Sequence, residues 1–150
     1  MALHKLTMQS PVLKEFTLEA DYQALAEIAI AIDNLFDQIV SPFDLEQTIY
    51  GIKLAVHEIC NNMIEHAYRE KPGTIQIRLT VDPISQLFVA ALCDKGRAFD
   101  PSTATSPNLD EPQDEGYGLF LAEQLMDEVR YRRQGQENHW QLIKQLNPIL

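Results

Sequence analysis

The chain has 150 residues, a length typical of one domain with a substantial buried core. Its formal net charge of -10 argues against non-specific nucleic-acid binding, because such binding draws on a basic surface. No apolar run approaches the roughly 20 residues that span a bilayer, and residues 1–11 lack the apolar core of a signal peptide. We therefore expect a cytoplasmic protein that contacts neither membrane nor nucleic acid. The two cysteines, Cys60 and Cys93, lie on apolar segments without metal-binding spacing and are expected to be ordinary buried thiols.

Side-chain periodicity divides the first half of the chain into one strand and two helices. Residues 12–19 alternate polar and apolar side chains, as in a half-buried strand. A helical stripe of apolar residues follows over about 22–40, with Asp21 as its N-cap. After a Ser-Pro break, Asp44 can cap a second helix that runs to about Arg69.

In the second half the apolar period changes to two. Residues 74–81 have this period and are expected to form a hairpin with the mostly apolar strand 86–93, and residues 129–133 and 139–146 are two further predicted strands. Residues 102–116 are polar, without periodicity, and are expected to form a long functional or mobile loop, and residues 118–127 return to helix. Antiparallel hairpins separate from helices predict an α+β fold in a single domain over residues 1–150. We expect a two-layer α/β sandwich, with a mixed, mostly antiparallel sheet and the helices on one face.

The second predicted helix carries an informative polar face. Glu58, Asn62, Glu65 and Arg69 step by four, three and four residues along one side, with His66 beside them. Two adjacent asparagines in mid-helix are unfavourable, because Asn competes for backbone hydrogen bonds and prefers caps and turns. A local rule broken at one place indicates a functional site. The alternative is a plain solvated surface helix.

Two later segments place glycines beside polar residues. Asp94 stands where an apolar strand stops, and Gly96 leaves the backbone bare enough for a flat ring to approach. Gly116 and Gly118 precede a helix, whose N-terminal amides favour anionic phosphate. Taken singly, each segment can be a common turn or hinge. The P-loop, zinc-protease, dinucleotide-binding and hydrolase-elbow motifs are absent or incomplete.

Together and in this order, the three segments resemble the GHKL (Bergerat-type) ATP-binding domain. The helix resembles its N box, residues 94–101 its first glycine box and residues 116–131 its second. Within that superfamily, the runs E-x-x-x-N-x-x-x-H-A-Y, D-x-G-x-x-F-D-P and G-x-G-L-F-L are most similar to the anti-sigma-factor serine/threonine-protein kinases, the partner-switching regulators of bacteria. The resemblance covers about residues 16–144.

The resemblance implies a role for each site residue. Asn62 would bind the Mg²⁺ that bridges the phosphates of ATP, and Glu58 would act as general base. Asp94 would accept a hydrogen bond from the adenine amino group, and Gly96 would make room for the base. Residues 102–116 would form the ATP lid. The residues of the second glycine box that would hold the nucleotide are Gly116, Tyr117, Gly118 and Leu119.

The resemblance further implies a homodimeric protein kinase that phosphorylates a serine of a STAS-type antagonist and captures a sigma factor or another regulatory target. Tyr117 stands where the branch often has Arg, which leaves open a non-catalytic nucleotide-bound switch that sequesters its partner. A detached catalytic domain of a histidine kinase is a third reading, which fits the motifs less well. We assign Asn62 rather than Asn61 because only Asn62 lies four residues from Glu58, and His66 is expected to support the helix.

Overall fold

The computed structural model describes residues 10–41, 43–69, 71–100 and 117–147. The strands are β1 (Val12–Glu19), β2 (Thr74–Asp82), β3 (Leu87–Asp94), β4 (Glu128–Gln134) and β5 (Glu137–Gln145). They form one sheet in the order β1-β2-β3-β5-β4, and each neighbouring pair is antiparallel. The helices are α1 (Ala26–Phe36), α2 (Glu46–Asn62) and α3 (Gly118–Leu125). The predicted α+β sandwich is confirmed, with antiparallel pairing throughout the described strands.

Side-chain caps fix where the first two helical segments begin. Asp21 Oδ1 accepts a hydrogen bond from Gln23 N at 2.9 Å, at the start of a 3₁₀ turn (Tyr22–Leu25) that leads into α1. Asp44 Oδ1 accepts one from Glu46 N at 3.0 Å at the start of α2. Both aspartates satisfy backbone amides that have no partner within the helix, as predicted.

The first helix ends earlier than its apolar stripe predicts. It stops at Phe36, because the amides of Gln38 and Ile39 bond to carbonyls three residues back and not four. Such bonds tighten the last turn, which is a common way to satisfy the end of a helix.

The hydrophobic core lies between the helices and one face of the sheet. Alternate residues of β2, from Ile75 to Val81, are buried against helical residues such as Ile32 and Ile59. Ile77 on β2 is in register with Leu92 on β3, and Leu92 is in register with Trp140 on β5, so the buried face continues across the sheet. Within the described ranges, no helix is long and apolar enough to cross a membrane.

The opposite, outer face of the sheet carries exposed and half-buried side chains in the part of the chain that the structure describes. One register row on this face joins Glu15, Arg78, Ala91, Gln141 and Arg130. A broad depression of about 1190 Å³ lies over it. The two faces of the sheet therefore differ sharply in polarity, as expected for a sheet with helices on one side.

The two cysteines lie in different surroundings. Cys60 is fully buried in α2, and burial, followed by the nearby charge of Asp94, raises the pKa of its thiol to about 12. The predicted inert thiol is therefore found at this position. Cys93 is only half-buried, on the outer face of β3, so the expectation of a buried thiol is wrong there. Its alternate strand position points it away from the core.

Candidate functional site

The polar helix ends in a π-helical turn. The α-helical pattern stops at Asn62, and Met63–Ala67 follow with the wider π geometry, which is frequent at functional sites. The backbone then enters the left-handed region at Arg69, with a φ of 51°. The wider turn rotates later residues away from the α-helical spacing. Arg69 therefore lies exposed beyond the helix. The expectation that Arg69 shares one helical face with Glu58 is wrong.

Gly96 allows the loop after β3 to lie directly on this turn. A Cβ built on Gly96 would overlap the carbonyl oxygen of Ala67 and lie 2.7 Å from the Ala67 Cβ. Arg97 N donates to the same carbonyl at 2.8 Å, and Arg97 Nε donates to His66 O at 3.2 Å. The space left by the missing side chain of Gly96 is thus filled by the end of the helix, and its role toward a base stays a prediction.

Replacing Gly96 by Ala is expected to lower the free energy of unfolding by about 1–3 kcal/mol, because the added methyl group would push the loop off the helix. Gly51→Ala in mid-α2 is the matched control. Its Cβ would lie 3.5 Å from Leu125 Cδ2, an ordinary contact, and Ala in a helix is favoured over Gly by about 0.5–1 kcal/mol. Urea unfolding followed by circular dichroism measures both. Equal stability of Gly96→Ala and wild type would contradict the close packing.

Asp94 is a buried carboxylate with one oxygen satisfied and the other not. Its Oδ1 accepts hydrogen bonds from Gly96 N and from Asn138 Nδ2, both at 2.8 Å. Its Oδ2 is buried without a partner among the described residues, and the residue is 1% exposed. Burial raises the pKa of Asp94, although the hydrogen bonds from Asn138 and Gly96 oppose the shift. An unpaired buried acceptor is unfavourable, so a hydrogen-bond donor from a ligand fits this position.

Asn138 holds Asp94 in place and is a residue that the sequence did not reveal. This buried amide on β5 donates through Nδ2 to Asp94 Oδ1 and to Arg97 O, the latter at 2.7 Å. Its Oδ1 accepts from Tyr131 OH at 2.5 Å and from Arg133 Nη1 at 3.1 Å. The only local signal is an Asn inside a strand, where Asn is disfavoured. The register between β3 and β5 places Asn138 directly opposite Asp94.

The space in front of Asp94 is small. A cavity of about 10 Å³ lies there, which suffices for about one water molecule and not for a purine. Phe99 is one of the residues that line it, and its ring is edge-on to Trp140 at a centroid distance of 5.1 Å. A base can therefore reach the buried Asp94 Oδ2 only if residues that line the cavity move. Trp140, the single tryptophan of the chain, borders the cavity and can report that movement.

Glu58 and Asn62 meet the first residue of α3. A Cβ built on Gly118 would lie 3.0 Å from Glu58 Oε2 and 3.4 Å from Asn62 Oδ1. The assignment of a metal ligand to Asn62 rather than Asn61 stays a prediction. Amides at a helix N-terminus lack partners within the helix and attract anions. The structure therefore brings a carboxylate, an amide oxygen and a candidate phosphate-binding helix end together.

Of the remaining predicted site residues, the structure describes Tyr117 and Leu119 but not Gly116. Gly116 and the predicted lid over residues 102–116 lie outside the described residues. Tyr117 immediately precedes α3, and its carbonyl accepts from Leu121 N at 2.9 Å. Leu119 is half-buried and packs against the hydrophobic core. The backbone carbonyl of His66 accepts a hydrogen bond from Arg97 Nε, and the supporting role of its side chain stays a prediction.

Comparison with known proteins gives a consistent family assignment. The family model described as the histidine kinase-like ATPase domain matches residues 18–144. The serine-protein kinase RsbW of Staphylococcus aureus is 30% identical over 130 residues, which are 81% of this chain and 80% of that protein. The same protein from another strain is 29% identical over the same length.

Two solved structures share the fold. The structure of the RsbU and RsbW domains of a Mycobacterium tuberculosis protein matches with a TM-score of 0.62 and 19% identity. It covers 91% of this chain, which spans 33% of that longer one. The histidine kinase domain of a blue-light activated histidine kinase from Erythrobacter litoralis matches with a TM-score of 0.54 and 22% identity, over 83% of this chain and 60% of that one.

Proposed function

The chain belongs to the histidine kinase-like ATPase domain family and is similar to the serine-protein kinase RsbW, and from this premise we propose that it binds ATP with Mg²⁺ and phosphorylates a serine of a protein partner. Its membership confirms the family resemblance that the three motifs predict. The observation that carries the proposal is the buried Oδ2 of Asp94, which has no hydrogen-bond partner among the described residues, because such a group is tolerated where a ligand supplies the donor.

At the base end, Asp94 Oδ2 would accept a hydrogen bond from the exocyclic amino group of adenine. Asn138 and Gly96 occupy the other oxygen of the carboxylate and so fix its orientation. Guanine carries a carbonyl oxygen at the corresponding position, which would set two acceptors against each other. The arrangement therefore favours adenine over guanine, since an unpaired buried acceptor strongly rejects the wrong ligand.

At the phosphate end, the side-chain oxygen of Asn62 would hold Mg²⁺, and the N-terminal amides of α3 would hold phosphate oxygens. The metal ion would neutralise the charge on the phosphates during transfer. Glu58 would accept the proton of the attacking serine hydroxyl, because its Oε2 faces this same helix end. Positioning and electrostatics then supply most of the rate.

As partners we propose a STAS-type antagonist, whose serine receives the phosphoryl group, and a sigma factor or another regulatory target. We also propose that the protein acts as a homodimer. The support for these partners is the similarity to RsbW over most of both chains.

Calorimetric titration with ATP and Mg²⁺ tests nucleotide binding. We expect about one site per chain and a change in Trp140 fluorescence on binding, since Trp140 lines the cavity that must widen to admit the base. Asn62→Ala should weaken ATP–Mg²⁺ binding by about tenfold or more, because the metal loses an oxygen ligand. Asn61→Ala is the matched control and should bind as wild type does. Absence of binding by the wild type would overturn the proposal.

Incubation with labelled ATP and a cognate STAS-type antagonist separates a kinase from a switch. Label on a serine of the antagonist is the expected result. Intact ATP binding without label on the antagonist would favour the second function, a nucleotide-bound protein that sequesters its partner. Tyr117 supports that alternative, because the phosphate end then lacks the Arg that related kinases often place there.

A further inference from the structure

A cluster of metal-binding side chains lies on the outer face of the sheet. Cys93 on β3 is paired in register with His139 on β5, and Glu137 lies two residues earlier on the same face of β5. Cys93 Sγ is 4.0 Å from His139 Nε2, which is 3.2 Å from Glu137 Oε1. All three ligand atoms lie within 4.8 Å of one another. The sequence concealed the cluster, because Cys93 is far from the other two residues along the chain.

We propose that Cys93, Glu137 and His139 form a binding site for a divalent transition metal ion, best suited to Zn²⁺. Thiolate, imidazole and carboxylate are the ligand types that zinc takes in proteins. Bonds of about 2.3 Å to sulfur and about 2.0–2.2 Å to nitrogen and oxygen place tetrahedral ligand atoms roughly 3.4–3.6 Å apart. The separations of His139 from Cys93 and from Glu137 therefore need to change by only about half an ångström or less. The ligand atoms of Cys93 and Glu137, which lie within 4.8 Å of each other, need to approach by at most about 1.2 Å. Binding forms a Zn–S bond and releases the thiol proton of Cys93 to solvent.

The cluster is open enough for an ion to enter. The side chains of His139 and Glu137 are 33% and 39% exposed, and Cys93 is half-buried. Cys93 and His139 line the broad depression on the outer face, which leaves the fourth coordination position to water. Arg132 on β4 is in register with His139 and is one of the positive charges that the sheet brings to this face, together with Arg78 and Arg130 in the neighbouring row.

The proposed site is separate from the nucleotide site in both position and chemistry. Asp94 and Asn138 follow Cys93 and Glu137 along their strands, so they point to the opposite, inner face of the sheet. The inner site offers oxygen ligands, which suit Mg²⁺, whereas a sulfur and a nitrogen ligand suit zinc. The zinc proposal therefore does not depend on ATP binding, and Asn62→Ala is expected to keep zinc affinity unchanged.

Titration of the tag-free 150-residue chain with ZnCl₂ tests the site. The titration contains excess Mg²⁺ and no nucleotide, so that the hard cation occupies oxygen sites. We expect one Zn²⁺ per chain, with at least a tenfold loss of affinity in Cys93→Ala and in His139→Ala. Gln141→Ala, two residues from His139 on the same face, is the matched control and should bind as the wild type does.

Two further measurements keep the test independent of variant folding. Co²⁺ in place of zinc should give a thiolate-to-cobalt absorption band in the wild type that disappears in Cys93→Ala. Zinc should raise the thermal unfolding midpoint of the wild type and of Gln141→Ala but not of Cys93→Ala, since an ion that binds the folded state stabilises it. Equal zinc affinity in Cys93→Ala and wild type, or no zinc binding by the wild type, would overturn the proposal.

Discussion

Asp94→Asn is expected to lose ATP affinity by about a hundredfold or more while remaining folded. The Asn oxygen can keep the hydrogen bonds from Gly96 and Asn138, so the local structure is retained. Its amide nitrogen, however, would stand where Asp94 Oδ2 now lies, and would set a donor against the adenine amino group. Calorimetry with ATP and Mg²⁺ measures the loss. Wild-type affinity in this variant would show that the base binds elsewhere.

The same variant is expected to be at least as stable as the wild type at neutral pH. Burial raises the pKa of Asp94, so the ionised form is less favourable in the folded than in the unfolded chain. Such a group contributes stability below its unfolded pKa, and that stability is lost as the pH rises through the folded pKa. The advantage of Asn over Asp should therefore shrink as the pH falls from 7 toward about 4, near the unfolded pKa of Asp. Thermal unfolding over this range measures it.

Asp82→Asn is the matched control, with the opposite sign. Asp82 ends β2 at the surface, and hydrogen bonds from Ile84 N and Ser85 N lower its pKa. A lowered pKa contributes stability at neutral pH that is lost as the pH falls through the folded pKa. Asp82→Asn should therefore show no gain in stability at neutral pH and should bind ATP as the wild type does. A shared loss of affinity would mean that the Asp94 effect is not local.

Glu58→Ala is expected to slow phosphoryl transfer to the antagonist by about 10²–10⁴-fold, the usual contribution of a general base. ATP affinity should stay within a few-fold of wild type or become tighter, because the substitution removes a negative charge beside the phosphate-binding helix end. Single-turnover transfer of label, measured after saturation with ATP, separates chemistry from binding.

Two other substitutions test whether the slow transfer comes from the loss of a proton acceptor at Glu58. Glu58→Gln keeps the shape of the side chain and should be as slow as Glu58→Ala, since an amide cannot accept the proton. Glu65→Ala lies on the same predicted side of the helix but beyond Asn62, within the π turn, and should transfer at the wild-type rate. Transfer by Glu58→Ala at the wild-type rate would assign the proton acceptor to another group.

Local sequence accounts for the order of elements, the caps and the family. Asp21 and Asp44 act through amides two residues away, so their effect can be predicted without knowing the rest of the chain. Alternation along β2 likewise reports which face is buried, because side-chain direction in a strand depends only on position. The three motifs carry the family resemblance, since each is a short run of fixed spacing.

Tertiary structure alone decided the partners of the site residues. Asn138 meets Asp94 across 44 positions of sequence, and Cys93 meets His139 across 46, because β5 inserts beside β3 with a particular register. Gly96 is required by its approach to Ala67, a contact between a loop and a helix end. Periodicity reports the direction of a side chain but not the strand beside it, and a shift of one residue in register would exchange the two faces. Packing of the whole sheet under the helices selects that register, so these contacts cannot be read from any single segment.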